Sequence, residues 1–336
     1  EMIAANGGTP PPGSDRLVIG HESFGVIVEA GEQSGLSVGD PVTILVRRPC
    51  NDPECVNCRN GEQDFCQTFK FVERGLKQAD GFLTEYVAED ARYVVKVPHS
   101  LVPYGVLSEP QSIVEKVWNQ VLRIQQRAVW QPETALIIGS GPLGLLAALT
   151  CRTLGLRTHV WSLSDEQSVN AEVARQCGAV YHPAAGSQLT KEAPQWERRF
   201  DLILECSGYP PNAFEAIQVL GTNGVLALLG VAPHRRMIEI PAHELNRAIV
   251  VQNKLILGSV NASRKDFETG LYRLGQMNRL YPGLLDQLVA ERFTLEQVPD
   301  LDFKRIQIKP VVDIVPREQW ENWIRPGKSA GYHFAV

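Results

Sequence analysis

Four of the chain's seven cysteines fall between residues 50 and 66, in the stretch CNDPECVNCRNGEQDFC. Cys50, Cys55, Cys58 and Cys66 are separated by four, two and seven residues. Four thiolates on one loop can close a tetrahedral shell around zinc, and a shell with no open position stiffens the loop rather than doing chemistry. A dithiol redox pair is the competing use of C-x-x-C, but it needs a helix start in a thioredoxin-like setting, which the flanking residues do not supply. Crosslinks are disfavoured because the count is odd and Cys151, Cys177 and Cys206 sit in apolar runs that read as core. That is the pattern of a reducing compartment, so a cytoplasmic location is expected.

A second stretch, ALIIGSGPLGLL, carries Gly139, Gly141 and Gly144 in G-x-G-x-x-G spacing, after an apolar strand and before a helix. In that context the first glycine makes a tight turn, the second lets backbone approach a pyrophosphate, and the third lets helix pack on strand. The pyrophosphate would rest on the helix N-terminus, beside Pro142 and Leu143, where free amides and the helix dipole favour negative charge. An acid about 20 residues further on would bind the ribose hydroxyls. Asp165 stands 21 residues after Gly144, and HVWSLSDEQS contains no arginine to receive a 2′-phosphate. NAD is therefore expected ahead of NADP, with Ser162 and Ser164 as the residues that could host a phosphate instead. His21 and Glu22 form a third pair, at the opening of a strand in GHESFGVIVEAG. Alone, this pair reads equally well as a surface hydrogen bond.

Positioning these groups requires two kinds of architecture. From residue 16 to about 100, LVIGHESFGVIVEAG, DPVTILV, FLTEYVAED and RYVVKVP are brief β-branched runs broken by glycine and proline, a small β-rich domain. After SEP at 108–110, apolar residues recur at helical spacing from Ile113 to Ile124. Strand and helix patterns then alternate to KLILGSVN, which predicts a parallel sheet covered on both faces. GVLALLGV reads as the far edge of that sheet, where a second copy could pair. The expected division is 1–115, rejoined by 262–336, and 116–261 for the dinucleotide-binding part. The net charge of −5 and the lack of a basic run argue against nucleic acid, including a zinc-ribbon binder. The apolar stretch 135–150 is too short to span a bilayer, which takes about 20 apolar residues.

The order GHE, four-cysteine loop, DGF with EY, VKVP, SEP and glycine turn resembles the zinc-containing medium-chain dehydrogenase/reductase family. VRRPC, NCRNGEQDFC, FVERGLKQADGFLTEY, LSEPQSIVEK and GSVNAS resemble its glucose 1-dehydrogenase branch, over residues 16 to about 314. The resemblance implies an α/β protein with a GroES-like β-rich catalytic domain and a Rossmann domain. It implies one structural zinc on the four cysteines and one catalytic zinc on His21, Glu22 and Glu109. It also implies an NAD or NADP site extended by Ser164, Ser207, Gly230, Ser259, Val260 and Asn261, and a sugar held by Glu73, Glu109 and Asn261. The expected reaction is oxidation of a glucose-like aldose at C1 to the lactone, in a homodimer or homotetramer. Polyol or alcohol oxidation within the same family is the alternative.

Two departures from the family bear on these expectations. The family's cysteine ligand to catalytic zinc lies in a Cys-Gly-Thr-Asp type segment ahead of the stretch matching EMIAANGG, and none of the seven cysteines here matches it. Either the natural sequence continues upstream, which is the expectation, or the chain is a scaffold with an incomplete catalytic site. Val251 stands ten residues before Asn261, where some members carry a histidine. The tail PREQWENWIRPGKSAGYHFAV does not resemble the family's ending, and its Trp320 and Trp323 read as part of a loosely packed end or as an interface seal.

Overall fold

The computed structural model describes residues 7–232, 237–303 and 305–324. Its first part holds short strands: β1 (Gly25–Val26), β2 (Pro41–Ile44), β3 (Arg47–Arg48), β4 (Val72–Arg74), β5 (Gln78–Ala79) and β6 (Val94–Lys96). They form two three-stranded sheets, β1-β2-β6 and β3-β4-β5. The cysteine loop hangs between β3 and β4 and contains one helical turn, Val56–Arg59.

Two expected strands differ from expectation. Of LVIGHESFGVIVEAG only Gly25–Val26 is ladder-paired, and FLTEYVAED forms no strand. Residues 18–20 and 81–83 instead run side by side, with the amides of Gly81, Phe82 and Leu83 donating to the carbonyls of Val18, Gly20 and Ile19. Glycine is the cause. A Cβ on Gly81 would lie 2.2 Å from the Gly20 oxygen, and one on Gly75 would lie 2.4 Å from it. Three backbones meet where no side chain fits, and such contacts bend chains out of regular pairing.

The long helix spans Ser108–Gln125, so SEP lies in its first turn rather than before it. Pro110 is tolerated there because first-turn amides have no intrahelical acceptor. Val114, Val117 and Val121 are buried, whereas Leu122 and Ile124 face outward.

β7 (Thr134–Ile138), β8 (Arg157–Ser162), β9 (Val180–Pro183), β10 (Phe200–Glu205), β11 (Leu220–Leu228) and β12 (Leu255–Gly258) form one sheet in the order β12-β11-β10-β7-β8-β9. Every pairing is parallel. Along β7, Ala135 and Ile137 join one core and Leu136 and Ile138 the other, so helices cover both faces. The chain winds outward from β7 to β9 and then returns beside β7 as β10, a reversal that opens a crevice at the strands' carboxyl ends. GVLALLGV is not the far edge: β11 is hydrogen-bonded on both sides and Val225, Leu226 and Ala227 are fully buried. The edge is β12, whose residues alternate between half-buried and exposed.

Ser263 and Asp266 make a capping box for the helix Arg264–Leu280, which packs along Ser108–Gln125. Arg264 donates to the carbonyls of Ala91, Arg92 and Val94, so this returning segment is tied to the β-rich part. β13 (Glu291–Thr294) and β14 (Pro310–Asp313) pair in parallel. Trp320 sits edge-on to Phe24 at 5.4 Å, Trp323 is exposed, and the rest of the tail lies outside the described residues. Among the described residues, no helix is long and apolar enough to cross a membrane.

The outer strands carry a stacked pair of histidines. His159 on β8 and His182 on β9 share a 2.8 Å contact from Nδ1 to Nε2, and Trp196 stacks on His182 at 3.6 Å. Burial, followed by the charge of His159, pushes His182 down to about 4. An unfolded histidine titrates near 6.5, so between these values the unfolded chain binds the extra proton. Stability from this group is then complete above pH 6.5 and is lost as pH drops toward 4. His182→Phe is expected to flatten this slope, measured by urea unfolding at pH 7 and pH 4.5.

Candidate functional site

His21 and Glu22 follow directly on the glycine contact, which fixes the backbone that carries them. Glu109 comes from the first turn of the long helix and is buried. Ligand atoms of His21, Glu22 and Glu109 all lie within 4.8 Å of one another. Lys309 reaches in beside them and its Nζ contacts Glu22 Oε2.

The electrostatics of this cluster are those of a cation site. Burial, reinforced by the charge of Glu22, pushes Glu109 up to about 8, and Lys309 only partly offsets it. Burial also holds His21 below its ordinary value, although Glu22 pulls the other way. The imidazole is thus neutral with a lone pair to give, and the crowded carboxyls gain from any positive charge placed between them. This nitrogen-and-oxygen set fits a zinc ion, with His21 and Glu109 the freer donors because Lys309 already pairs with Glu22.

Glu73 on β4 and Asn261, 188 residues apart in sequence, are hydrogen-bonded at 3.0 Å from Nδ2 to Oε1. The same oxygen accepts from Arg47 Nε and Nη2. The Glu73 charge acts on both His21 and Glu109, so the two pairs share one neighbourhood. Asn261 holds φ +59°, a left-handed backbone that asparagine adopts more readily than most residues.

The dinucleotide turn has the expected form. Gly139 follows β7 at φ +98°, Gly141 caps the helix Pro142–Thr153, and a Cβ on Gly144 would come within 2.0 Å of the Gly139 oxygen. A Cβ on Gly141 would meet nothing within 4 Å, leaving the helix N-terminus open to an anion. Pro142 and Leu143 flank that opening. Ser207 and Gly230 follow β10 and β11, and Gly139 packs against the Ser207 backbone. Ser259, Val260 and Asn261 follow β12, so the strand ends lead directly to the Glu73 contact. Ser140 Oγ lies 2.9 Å from Ser162 Oγ and 3.2 Å from Ser164 Oγ, within hydrogen-bond reach of both. Asp165 is exposed just past the tip of β8.

The sulfurs of Cys50, Cys55, Cys58 and Cys66 converge within 4.8 Å, and none is crosslinked. Burial pushes Cys58 up to about 12. Burial would raise Cys66 as well, but hydrogen bonds to Thr68, Cys58 and Cys50 together outweigh it and bring the thiol down to about 6. Four free thiols held this closely fit a structural zinc ion.

Sequence reasoning missed several residues. Lys309 lies 287 positions from its partner Glu22, and Arg47, which holds Glu73, gave no periodic signal. Glu205 was also missed: it is buried at the end of β10 and accepts from the Ser207 amide and hydroxyl and the Gly208 amide, bracing the loop beside the glycine turn. Its position as the last residue of FDLILE, an acid closing an apolar strand, was the one available signal.

Comparison with known proteins finds two family models along the chain. Residues 2–99 match the Alcohol dehydrogenase GroES-like domain and residues 102–314 the Glucose dehydrogenase C-terminus. The chain is 37% identical over 309 residues to a glucose 1-dehydrogenase of Methanocella arvoryzae, covering 91% of this chain and 86% of that one. It is 36% identical over 318 residues to a glucose 1-dehydrogenase of Metallosphaera sedula, covering 92% and 85%. The solved Haloferax mediterranei glucose dehydrogenase in complex with NADP, Zn and gluconolactone superposes with a TM-score of 0.86 at 28% identity, covering 94% of this chain and 88% of that one.

Proposed function

Because the chain belongs to the zinc-containing medium-chain dehydrogenase family, in its glucose dehydrogenase branch, we propose that it oxidises a glucose-like aldose at C1 to the lactone and delivers hydride to NAD. It is an NAD(P)-dependent dehydrogenase with a GroES-like part and a Rossmann-type sheet. One observation carries the sugar reading: the His21, Glu22 and Glu109 cluster shares its neighbourhood with the Glu73 and Asn261 pair. A cation seat next to a paired acid and amide suits a substrate with several hydroxyls, since each polar group is left unsatisfied by the wrong ligand.

His21 and Glu109 would hold the catalytic zinc, with Glu22 beside them. A zinc ion there would supply a Lewis acid that lowers the pKa of an alcohol. Glu73 and Asn261 orient the ring hydroxyls, and the turn at Gly139, Gly141 and Gly144 fixes the dinucleotide pyrophosphate. A nicotinamide bound at the glycine turn would supply the acceptor for the hydride released from C1. The hydroxyl proton leaves toward Glu109 or Glu22 through water, and the C1–O bond becomes the lactone carbonyl. With the proposed domain division, 1–115 with 262–336 and 116–261, this chemistry would lie at the seam, the boundary falling inside the helix Ser108–Gln125. A cytoplasmic homodimer or homotetramer is the proposed assembly, with β12 rather than β11 as the strand edge open to pairing.

The test is reduction of NAD and NADP by the purified protein across common aldoses. Failure to reduce either cofactor with any of them would reject the sugar reading. Activity confined to acyclic polyols or simple alcohols would favour the family alternative. For the cofactor, the Asp165 carboxylate past the tip of β8 opposes a 2′-phosphate, in contrast to the NADP in the Haloferax structure. NAD is expected to exceed NADP in kcat/KM by about tenfold or more, and Asp165→Arg to narrow that ratio by a similar factor, about 1.4 kcal/mol.

A further inference from the structure

The mechanism leaves unused a buried ion pair that touches neither cofactor nor sugar. Lys116, on the long helix, lies 2.7 Å from Asp64 Oδ2, and the two side chains are 4% and 1% exposed. Asp64 belongs to the turn Gln63–Phe65, between Cys58 and Cys66. Lys116 Nζ also donates to the Val260 carbonyl at 2.9 Å and sits 4.1 Å from the Phe65 ring centroid. One turn along the helix, Gln120 donates to Ser259 Oγ at 3.0 Å.

These contacts close a ring. From Asp64 the path runs through Lys116 to Val260, along the chain to Asn261, by hydrogen bond to Glu73, by ion pair to Arg47, and from Arg47 Nη1 back to the Asp64 carbonyl at 3.0 Å. Each link is a charge-assisted or buried polar contact, and removing one partner strands the other in a dry interior. The left-handed backbone of Asn261 marks the point in the ring that most needs holding from outside.

We propose that Lys116 is a positioning residue that ties the cysteine lobe, through Asp64, to the Val260–Asn261 segment, so that the lobe's rigidity fixes where Asn261 and Glu73 receive the sugar. The inference rests on the sugar reading for its kinetic consequence, but the mechanical link stands apart from it. Loosening the lobe would then weaken sugar binding while leaving the glycine turn after β7 in place.

Wild type, Lys116→Met and the milder Asp64→Asn are compared as metal-loaded proteins. Amide hydrogen exchange over 259–262 is expected to quicken by about tenfold or more in both variants, with β7 amides unchanged. At saturating cofactor, the aldose KM should rise by about tenfold, with kcat within about threefold of wild type. Unchanged exchange over 259–262 in either folded variant overturns the proposal, as does exchange that quickens equally in the β7 amides. If Lys116→Met does not fold, Asp64→Asn decides alone. If wild type oxidises no aldose, the exchange result still decides the link, and it is the sugar reading that falls.

Discussion

Replacing His21 with alanine is expected to lower kcat/KM by about a thousandfold or more, equivalent to about 4 kcal/mol of transition-state stabilisation. His21 is the one imidazole in the cluster, and burial keeps it neutral and able to donate its lone pair. Without it, Glu22 and Glu109 remain, one paired with Lys309 and the other pushed up to about 8 by burial and Glu22. Two carboxylates without the imidazole hold zinc less firmly, so metal content should fall together with activity. Glu109→Gln should show a similar loss, because its amide neither ligates strongly nor takes a proton. The check is metal analysis beside steady-state kinetics. A His21→Ala protein that keeps its full metal complement and more than about a tenth of the wild-type rate would mean that the cluster is not the reaction centre.

The second large effect is structural. Cys58→Ser should release one metal per chain and unfold the loop 50–66, because the hydrophobic cluster under that loop, among the described residues, consists of Cys55, Cys58, Cys66 and Phe71, flanked by Cys50. Structural zinc supplies about 10–16 kcal/mol of apparent binding energy in small zinc-finger peptides. Even a fraction of that, lost from this chain, should lower Tm by about 10 °C or more. Cys151→Ser is the control: that thiol is buried in the main core, away from the lobe, so the substitution should leave metal stoichiometry unchanged. Equal metal content in the Cys58→Ser and Cys151→Ser proteins would refute the structural-zinc assignment.

What could be read from the sequence was whatever local spacing encodes. The four cysteines and the three glycines of the dinucleotide turn each lie within one short segment, and so does the alternation of strands and helices that builds the parallel sheet. The contacts that complete the site join distant segments: Lys309 with Glu22, Asn261 with Glu73, Lys116 with Asp64. No periodicity reports such pairs, because each partner looks like an ordinary charged or polar residue in its own neighbourhood. The position of β11 was misread for a related reason: a buried interior strand and a strand covered by a second subunit carry the same apolar run. FLTEYVAED has strand-forming residues, but the glycine contact at its start outweighs their preference.

That glycine contact has a consequence for judging relatives of this chain. Gly20, Gly75 and Gly81 bring main chain against main chain immediately before His21, with only hydrogen on each α-carbon. A single added methyl group at position 81 would displace the imidazole although every liganding atom survived. A homologue could therefore display the full set of metal-binding side chains and still be inert. Surveys that sort working from silent members of this lineage should examine these three bare α-carbons as closely as the donors they hold in place.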